Sequence, residues 1–534
     1  MKRILSVVLA VAMLLVFPAC AKKDEAADKT IQYHIGQEPQ TLDPQIASDD
    51  SANLIIGAIY EGLARLDAGG NAVPGVAKSW TASENDTKFT FTLREDAMWS
   101  DGSRVKAADF VFAFRRALSP QTQSPVSRTM LSLKHAAQVN SGALPPEQLG
   151  VTAPDDHTLV VELEYAYHDF PALTATGPFM PCNELFFQET HGKYGLEGKY
   201  ILSNGPFVVA GRYSWDHGKS IKLARSESYR GEQPARPAAL LFYMDGSDID
   251  ISDPLAALEK AEVDAAPLPE NQVARAEAQG FSIVSFQDIT WGLAFNTQDE
   301  ALKSEMLRKG LVAALPRDKL LAQLPERATA AGNIIGPGAT LMGNNYRELA
   351  GNADGFLKES TQSSAWIAAG LSELGLSSLP RITVLCPDTE AAKKLVNEML
   401  IAWNTQTGQY FNMQPLSQRE LEKAVASGNY QIALTGIHPE QDGTLLSVFR
   451  SDHPENPSRL MWPAFDQLLL TAEKSGDAGA LAAYAKAESE LNDRAIFYPI
   501  YYKESYYASG KGVTGIIFRP NSTGIDFSQA GKIE

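Results

Sequence analysis

The alternation of apolar and polar residues predicts a strand, a turn and a helix between residues 71 and 120. In the run KFTFTLR at residues 88–94, phenylalanine and leucine alternate with threonine, which is the period of a half-buried strand. Trp99 to Gly102 supplies turn residues. Ala107 to Leu118 then carries apolar residues at helical spacing until Ser119 and Pro120 end the helix.

The rest of the chain shows further strands and helices. Predicted strands are 31–35, 159–163, 290–296, 382–385 and 430–435. Predicted helices are 53–63, 306–314, 391–405 and 484–492, and Pro316 is expected to stop the second of these early. The β-α-β order after residue 380 indicates an α/β lobe.

Length and charge narrow the function classes. A chain of 534 residues is too long for one core and predicts two or three lobes. A formal net charge of −17 argues against nucleic acid or an anionic membrane surface as a partner. Cys182 and Cys386 lack the spacing of a metal site, and we interpret them as separate core residues rather than a disulfide.

The N-terminus has the pattern of a targeting segment. Lys2 and Arg3 precede an apolar run from Ile4 to Phe17, and the small residue Ala19 precedes Cys20. Residues 17–20 resemble a bacterial lipobox, which implies a signal peptide at 1–20 and a lipid on Cys20; ordinary secretion is the alternative. Residues 21–29 form a polar tether, and the mature chain is predicted to be exported.

No catalytic constellation is evident in the sequence. Nucleophile-elbow, zinc-protease, phosphate-loop and dinucleotide motifs are all missing, and the eight histidines have no ligand spacing. The adjacent acids Asp155 and Asp156 are expected to point apart in an extended strand. We therefore predict a protein that is not an enzyme and has no cofactor or metal.

Three runs together resemble the signature region of the family 5 extracellular solute-binding proteins, the peptide-binding receptors of ABC importers. They are PGVAKSW (74–80), FTFTLREDAMWSDGSRV (89–105) and ADFVFAFRRALSP (108–120). One departure is Lys106, where relatives have a serine or threonine that caps the helix; Lys106 offers no acceptor, so this helix start should be weaker.

The resemblance implies a class C, or type II, periplasmic-binding-protein-like α/β fold of two lobes with an extra inserted domain. The boundaries carried over are 21–60, 200–289 and 502–534 for the first lobe, 61–199 for the insert and 290–501 for the second lobe. The chain crosses between lobes near 290–296 and 497–502.

The implied function is that of a monomeric, lipid-anchored receptor that faces the outside or the periplasm. It would capture oligopeptides and deliver them to a membrane permease and its ATPase. The alternatives are a non-peptide solute, such as a nickel chelate, haem or an oligosaccharide, or a role as a peptide sensor.

The family's ligand contacts are altered in this sequence. Relatives bind the ligand's amino terminus with an aspartate after a Gly-Trp pair; here the run LTGIHPEQD places His438 at that position, with Glu440 and Asp442 downstream. Either a downstream acid takes over this contact or the ligand lacks a free amino terminus. Other candidate contacts are Ser48 and Asp50, where an acid is expected, Val126, where an aromatic is expected, and Trp291, Asn296 and Tyr502 at the crossings.

Overall fold

The computed structural model describes residues 29–533 apart from 84, 210, 212, 342–343, 353–359, 409, 442–443, 454 and 520–523. The predicted signal peptide, Cys20 and Asp442 therefore lie outside the described residues. Within them, no helix is both long and apolar enough to cross a membrane. We use the names first lobe, insert and second lobe for the three parts predicted above; their boundaries stay a prediction.

The helices lie mainly in the insert and the second lobe. They are α1 Asp50–Ile59, α2 Ala107–Leu118, α3 Ala136–Asn140, α4 Phe170–Leu173, α5 Glu184–Glu189, α6 Pro254–Glu259, α7 Glu270–Ala278, α8 Glu305–Ala313, α9 Arg317–Leu321, α10 Tyr346–Ala350, α11 Ser363–Glu373, α12 Glu390–Thr407, α13 Gln418–Ser427, α14 Pro463–Glu473 and α15 Asp477–Asp493.

The strands run through the whole chain. The first twelve are β1 Thr30–His34, β2 Ala64–Leu66, β3 Ala72–Pro74, β4 Ala77–Ala82, β5 Lys88–Leu93, β6 Val151–Asp155, β7 Thr158–Glu162, β8 Phe207–Val209, β9 Trp215–Asp216, β10 Ser220–Arg225, β11 Ala239–Tyr243 and β12 Ala265–Leu268. The others are β13 Ser282–Phe295, β14 Thr329–Ala330, β15 Thr340–Leu341, β16 Asn344–Asn345, β17 Ile382–Pro387, β18 Phe411–Leu416, β19 Ile432–Ile437, β20 Glu440–Gln441, β21 Thr444–Leu445, β22 Phe497–Ser509, β23 Val513–Thr514 and β24 Gly531–Lys532.

One mixed sheet passes through both lobes. In the described residues its main path is β18-β17-β19-β13-β22-β12-β1-β11-β10-β8. The long antiparallel strands β13 and β22 form its centre. β13 pairs with β19 of the second lobe, and β22 pairs with β12 of the first lobe. Each crossing strand therefore belongs to both lobes. The predicted crossing segments 290–296 and 497–502 lie within these strands, except that Asn296 follows the end of β13.

The insert has its own sheet, in the order β4-β5-β7-β6, covered by α2. Phe89, Phe91 and Leu93 of β5 are buried and the two threonines between them are half-buried, which confirms the predicted alternation. Helix α2 has the predicted bounds. Lys106 gives it no side-chain cap, and only the Asp109 carboxylate bonds back to the Lys106 N–H, at 2.9 Å.

Helix α1 is displaced from its predicted position. It begins after the N-cap Asp49 and ends at Ile59, whereas the sequence pattern predicted 53–63. The correction has a physical reason at Glu61, whose N–H and carbonyl are both bonded by the Asn204 side chain, at 3.1 and 2.8 Å, and so take no part in a helix. The chain is extended from Tyr60 onward, so apolar spacing past that point was mistaken for helix.

The apolar core is divided into clusters that lie on either side of the predicted boundary between the lobes. One large cluster joins the first lobe to the insert, and two clusters cover the opposite faces of the second lobe's sheet. Cys182 and Cys386 are buried and free, as predicted. Asn204 joins the first lobe to the start of the insert, because its side chain bonds both the N–H and the carbonyl of Glu61, at 3.1 and 2.8 Å.

Candidate functional site

The carboxylate of Asp288 lies where the pairing of the two crossing strands is irregular. The register between β13 and β22 shifts between Phe286 and Ile289, and irregularities of this kind redirect side chains. The Asp288 side chain is only 9% exposed. Its Oδ1 accepts a 2.6 Å hydrogen bond from the Ser505 hydroxyl, and its Oδ2 lies 4.0 Å from Nδ1 of His438.

Glu440 lies beside Asp288. The two residues line a cavity of about 10 Å³, which is room for about one water. Glu440 accepts hydrogen bonds of 2.9 Å from both the N–H and the hydroxyl of Thr340. Burial raises the pKa of Glu440, and the charge of Asp288 raises it further against the lowering effect of the Thr340 bonds. The pair therefore favours an added positive charge.

Tyr507, like Asp288, belongs to the first lobe. Burial, followed by the charges of Asp288 and Asp50, raises the pKa of Tyr507 to about 12. Asp50 is the first residue of α1, just after Asp49, whose carboxylate accepts a 2.8 Å bond from the Ala52 N–H. The charges of two first-lobe carboxylates thus act on one hydroxyl. We call Asp288, His438, Glu440 and Tyr507 the crossing cluster.

The two acids of the crossing cluster have no strong cation beside them. In the described parts of the chain, neither lysine nor arginine forms an ion pair with Asp288 or Glu440, and the basic side chain beside Asp288 is the partly exposed His438. Lys503, on the neighbouring strand, is paired with Glu270 instead. Buried carboxylates are costly without a cation, so this part of the cleft is suited to a positively charged ligand group.

A larger cavity opens between α1, the insert and the C-terminal segment. Its volume is about 460 Å³. Its walls are more apolar than polar. Their apolar side chains include Ile56, Leu66, Leu173, Met180 and Ile525, and Asn53 and Thr176 are among the polar ones. Ser48, Val126 and Thr129 also line it, and ionisable groups lie on its wall at Glu61, Arg65, Arg519 and Asp526.

The insert touches the second lobe close to this cavity. Arg128, two residues after Val126, lies 3.6 Å from Asp452 and 4.0 Å from Glu473. The hydroxyl of Tyr165 in the insert donates to the Glu473 carbonyl. Glu473 is held from its own lobe by Arg450 at 2.9 Å. These contacts join the two sides of the cleft.

Several predicted residues are thus brought into two neighbouring places. His438 and Glu440 belong to the crossing cluster, and Asp50 lies near Tyr507. Ser48 and Val126 line the large cavity. That these residues contact a ligand stays a prediction.

Three other candidates have structural partners. Trp291 is 9% exposed, stacks on Tyr501 at 5.8 Å between ring centroids and keeps its indole N–H buried without a partner. Asn296 donates to the carbonyls of Gly428 and Tyr430, at 3.1 and 2.8 Å. These contacts give both side chains a structural role, and that either one also contacts a ligand stays a prediction.

Tyr502 is likewise engaged within the protein. Its hydroxyl donates to the Asn333 carbonyl at 3.0 Å and accepts from the Asn333 N–H at 3.2 Å. Burial raises the pKa of Tyr502, so it stays a neutral phenol. Its position fixes the loop that carries Gly336, another residue lining the small cavity.

Sequence reasoning missed Asp288 and Tyr507. Asp288 directly precedes the predicted crossing strand, and a carboxylate within a long β pattern was the available signal. Tyr507 gave no such signal, because its nearness to Asp50 depends on how the first lobe folds. The described residues contain no group of three or more histidine, cysteine or acidic side chains able to hold a metal.

A family model, curated relatives and solved structures all match this chain to solute-binding proteins. The model of the bacterial extracellular solute-binding proteins, family 5 Middle, matches residues 71–453. The chain is 25% identical to the oligopeptide-binding protein OppA of Bacillus subtilis (strain 168) over 512 residues, which cover 93% of this chain and 91% of the relative.

Two further comparisons extend over similar lengths. The periplasmic murein peptide-binding protein MppA of Escherichia coli (strain K12) is 27% identical over 500 residues, covering 89% of this chain and 88% of the relative. The crystal structure of the substrate-binding domain of an oligopeptide ABC transporter from Bacillus anthracis str. Ames superposes with a TM-score of 0.72 at 26% identity. That match covers 96% of this chain and 100% of the other.

Proposed function

Because this chain belongs to the family 5 bacterial extracellular solute-binding proteins, which bind substrates and are not enzymes, we propose that it captures oligopeptides between its lobes for an ABC importer. The captured peptide would pass to a membrane permease. Relatives that bind oligopeptides and murein peptides support this ligand class.

The observation that carries the proposal is the pair of carboxylates in the crossing cluster. A peptide's amino terminus is a cation, and a buried cation needs a carboxylate nearby. Asp288 is oriented by Ser505 and lies beside Glu440 with neither lysine nor arginine paired to them in the described residues. An ammonium group placed there would relieve the repulsion between the two acids.

Asp288 favours a relocated amino-terminus contact over a ligand with a blocked terminus. His438 takes the position where relatives have aspartate, yet a carboxylate oxygen of the neighbouring strand lies 4.0 Å from its ring. The peptide's amino terminus would then still bind a carboxylate, but one on the adjoining strand rather than one at position 438. Main-chain hydrogen bonds along the cleft would hold the rest of an extended peptide without regard to its sequence.

The place of the protein in the cell is part of the proposal. We propose that Cys20 carries a lipid and that the mature chain is a monomer anchored at the outer or periplasmic face of the cell membrane. The targeting pattern before Cys20 supports this. Fractionation tests it: wild type should incorporate labelled palmitate and follow the membranes, whereas Cys20→Ser should do neither. Equal labelling of both proteins would contradict the anchor.

The ligand is tested by mass spectrometry of small molecules released by denaturation. Wild type should release a mixture of unrelated peptides with free amino termini. Asp288→Asn should release far less, while Glu390→Gln, which removes an exposed acid of α12, should match wild type. One non-peptide species, or blocked peptides held equally by wild type and Asp288→Asn, would overturn this proposal.

A further inference from the structure

The described residues that line the large cavity all belong to the predicted first lobe and insert. Its volume of about 460 Å³ is within the range of sites that enclose organic ligands. Opening of the lobes would therefore leave its walls in place. A ligand group could enter it before the cleft closes.

The ionisable groups on its wall have partners within the protein. Arg65 lies 3.3 Å from Asp526 and 3.9 Å from Glu61, and Glu61 lies 2.8 Å from Arg94. Arg519 donates to the main-chain carbonyls of residues 66 and 67. Two acids and two arginines leave the lining without net formal charge, in contrast to the crossing cluster. An uncharged group is the better match for these walls.

Gly57 leaves space that the protein itself does not fill. It lies inside helix α1 and lines the cavity, and a Cβ added there would meet no atom within 4 Å. Its backbone is helical, so the turn geometry that often requires glycine is not the reason for it. A glycine inside a helix is less favourable than alanine. Gly57 is exposed at this wall of the cavity, and no side chain fills the space over α1 at this position.

From these three observations we propose that the cavity binds one large, uncharged, apolar side chain of the peptide, so that the protein selects peptides carrying such a residue. This inference rests on the proposed function and names its substrate class. Ser48 lines the cavity, and Asp50, two residues along the chain and at most about 7 Å away between Cα atoms, is close enough to Tyr507 of the crossing cluster for its charge to act there. One short peptide can therefore span both places.

The test uses wild-type chain stripped of bound ligand and titrated by calorimetry with tetra-alanine and with four peptides that carry one tryptophan at each position in turn. At one position tryptophan should tighten binding about 10-fold or more, because its surface leaves water. Gly57→Leu should remove that gain, and Ala368→Leu, on the exposed face of α11, should keep it. No gain at any position, or a gain that survives Gly57→Leu, would overturn the proposal.

A second variant guards against poor folding of Gly57→Leu, and a second probe tests the cavity independently of peptide binding. Val126→Trp fills the cavity from the insert side and should act like Gly57→Leu even if the helix variant folds poorly. If no peptide binds, the proposed function fails, and the neutral dye N-phenyl-1-naphthylamine then tests the cavity. If the dye becomes more fluorescent with wild type and not with Val126→Trp, the cavity is an apolar binding site. If wild type does not enhance the fluorescence, the proposed apolar site is refuted.

Discussion

Oδ2 of Asp288, on β13, lies 4.0 Å from Nδ1 of His438, which directly follows β19. Thr290 of β13 pairs with Ile437 of β19, so the residues just beyond this pair meet across the sheet. The residue at 438 and the carboxylate of Asp288 consequently share one small volume. A change of charge at either position should therefore change the electrostatic interaction between the two side chains.

His438→Asp should destabilise the ligand-free protein at neutral pH. A second carboxylate about 4 Å from Asp288 adds like-charge repulsion, which we place at about 1 kcal/mol because the side chain at 438 is half exposed. Urea unfolding at pH 7.5 in low salt should show this loss relative to His438→Asn, and 0.5 M salt should reduce it. Equal stability of the two variants at low salt would contradict the shared volume.

Arg128→Ala should speed ligand release with little effect on stability. Arg128 reaches Asp452 and Glu473 from the insert, but it is 49% exposed, and exposed ion pairs contribute little to folding. We expect the dissociation rate to rise about 2- to 5-fold, because the closed state loses a contact that the open state lacks. Stopped-flow measurement checks this against Lys393→Ala, whose ion pairs lie within the second lobe. An unchanged dissociation rate would mean that the contact does not hold the cleft closed.

Much of the fold was predictable because local rules determine it. The alternation in β5 and the helical spacing of α2 placed both elements within a residue, and burial of Phe89 and Phe91 follows from that spacing. Helix α1 was misplaced because the main chain of Glu61 is bonded by Asn204, which is a long-range contact. No local pattern contains such a contact.

The candidate site was less predictable than the fold. His438 and Glu440 were found because they follow a recognisable strand, whereas Asp288 lies 150 residues earlier in the chain and reaches them through strand pairing. Asn296 was selected by position at the end of a strand. Its amide instead holds the chain at Gly428 and Tyr430, a use that sequence alone does not distinguish from ligand binding.

Lys106→Ser should stabilise the insert. Lys106 is the N-cap of α2 but gives no side-chain acceptor, whereas serine would accept a bond from the helix's first turn and complete the box with Asp109. The expected gain is about 1 kcal/mol in unfolding free energy over Lys106→Ala. The alanine variant is the matched control, because both changes remove the contact between Lys106 and Asp156. Equal urea midpoints for the two variants would show that the cap is not limiting.

Asp109 should make stability fall as pH rises between about 4 and 7. Burial raises the pKa of Asp109 to about 6 from its usual 3.8, despite hydrogen bonds from the Lys106 N–H and the Trp99 indole that lower it. The fold then keeps a proton that the unfolded chain releases, so the stabilisation is complete below pH 4 and is lost as pH passes 6.

Asp109→Asn removes this titration and isolates its effect. The difference in unfolding free energy, wild type minus variant, should fall by about 2–3 kcal/mol between pH 4 and pH 7.5, since one pKa unit corresponds to about 1.4 kcal/mol. The asparagine oxygen can still accept from Trp99 and Lys106, so the variant keeps the helix start. Urea unfolding across this pH range measures the difference. A difference that stays constant, or that grows with pH, would show that Asp109 is ionised in the fold throughout and that the hydrogen bonds outweigh its burial.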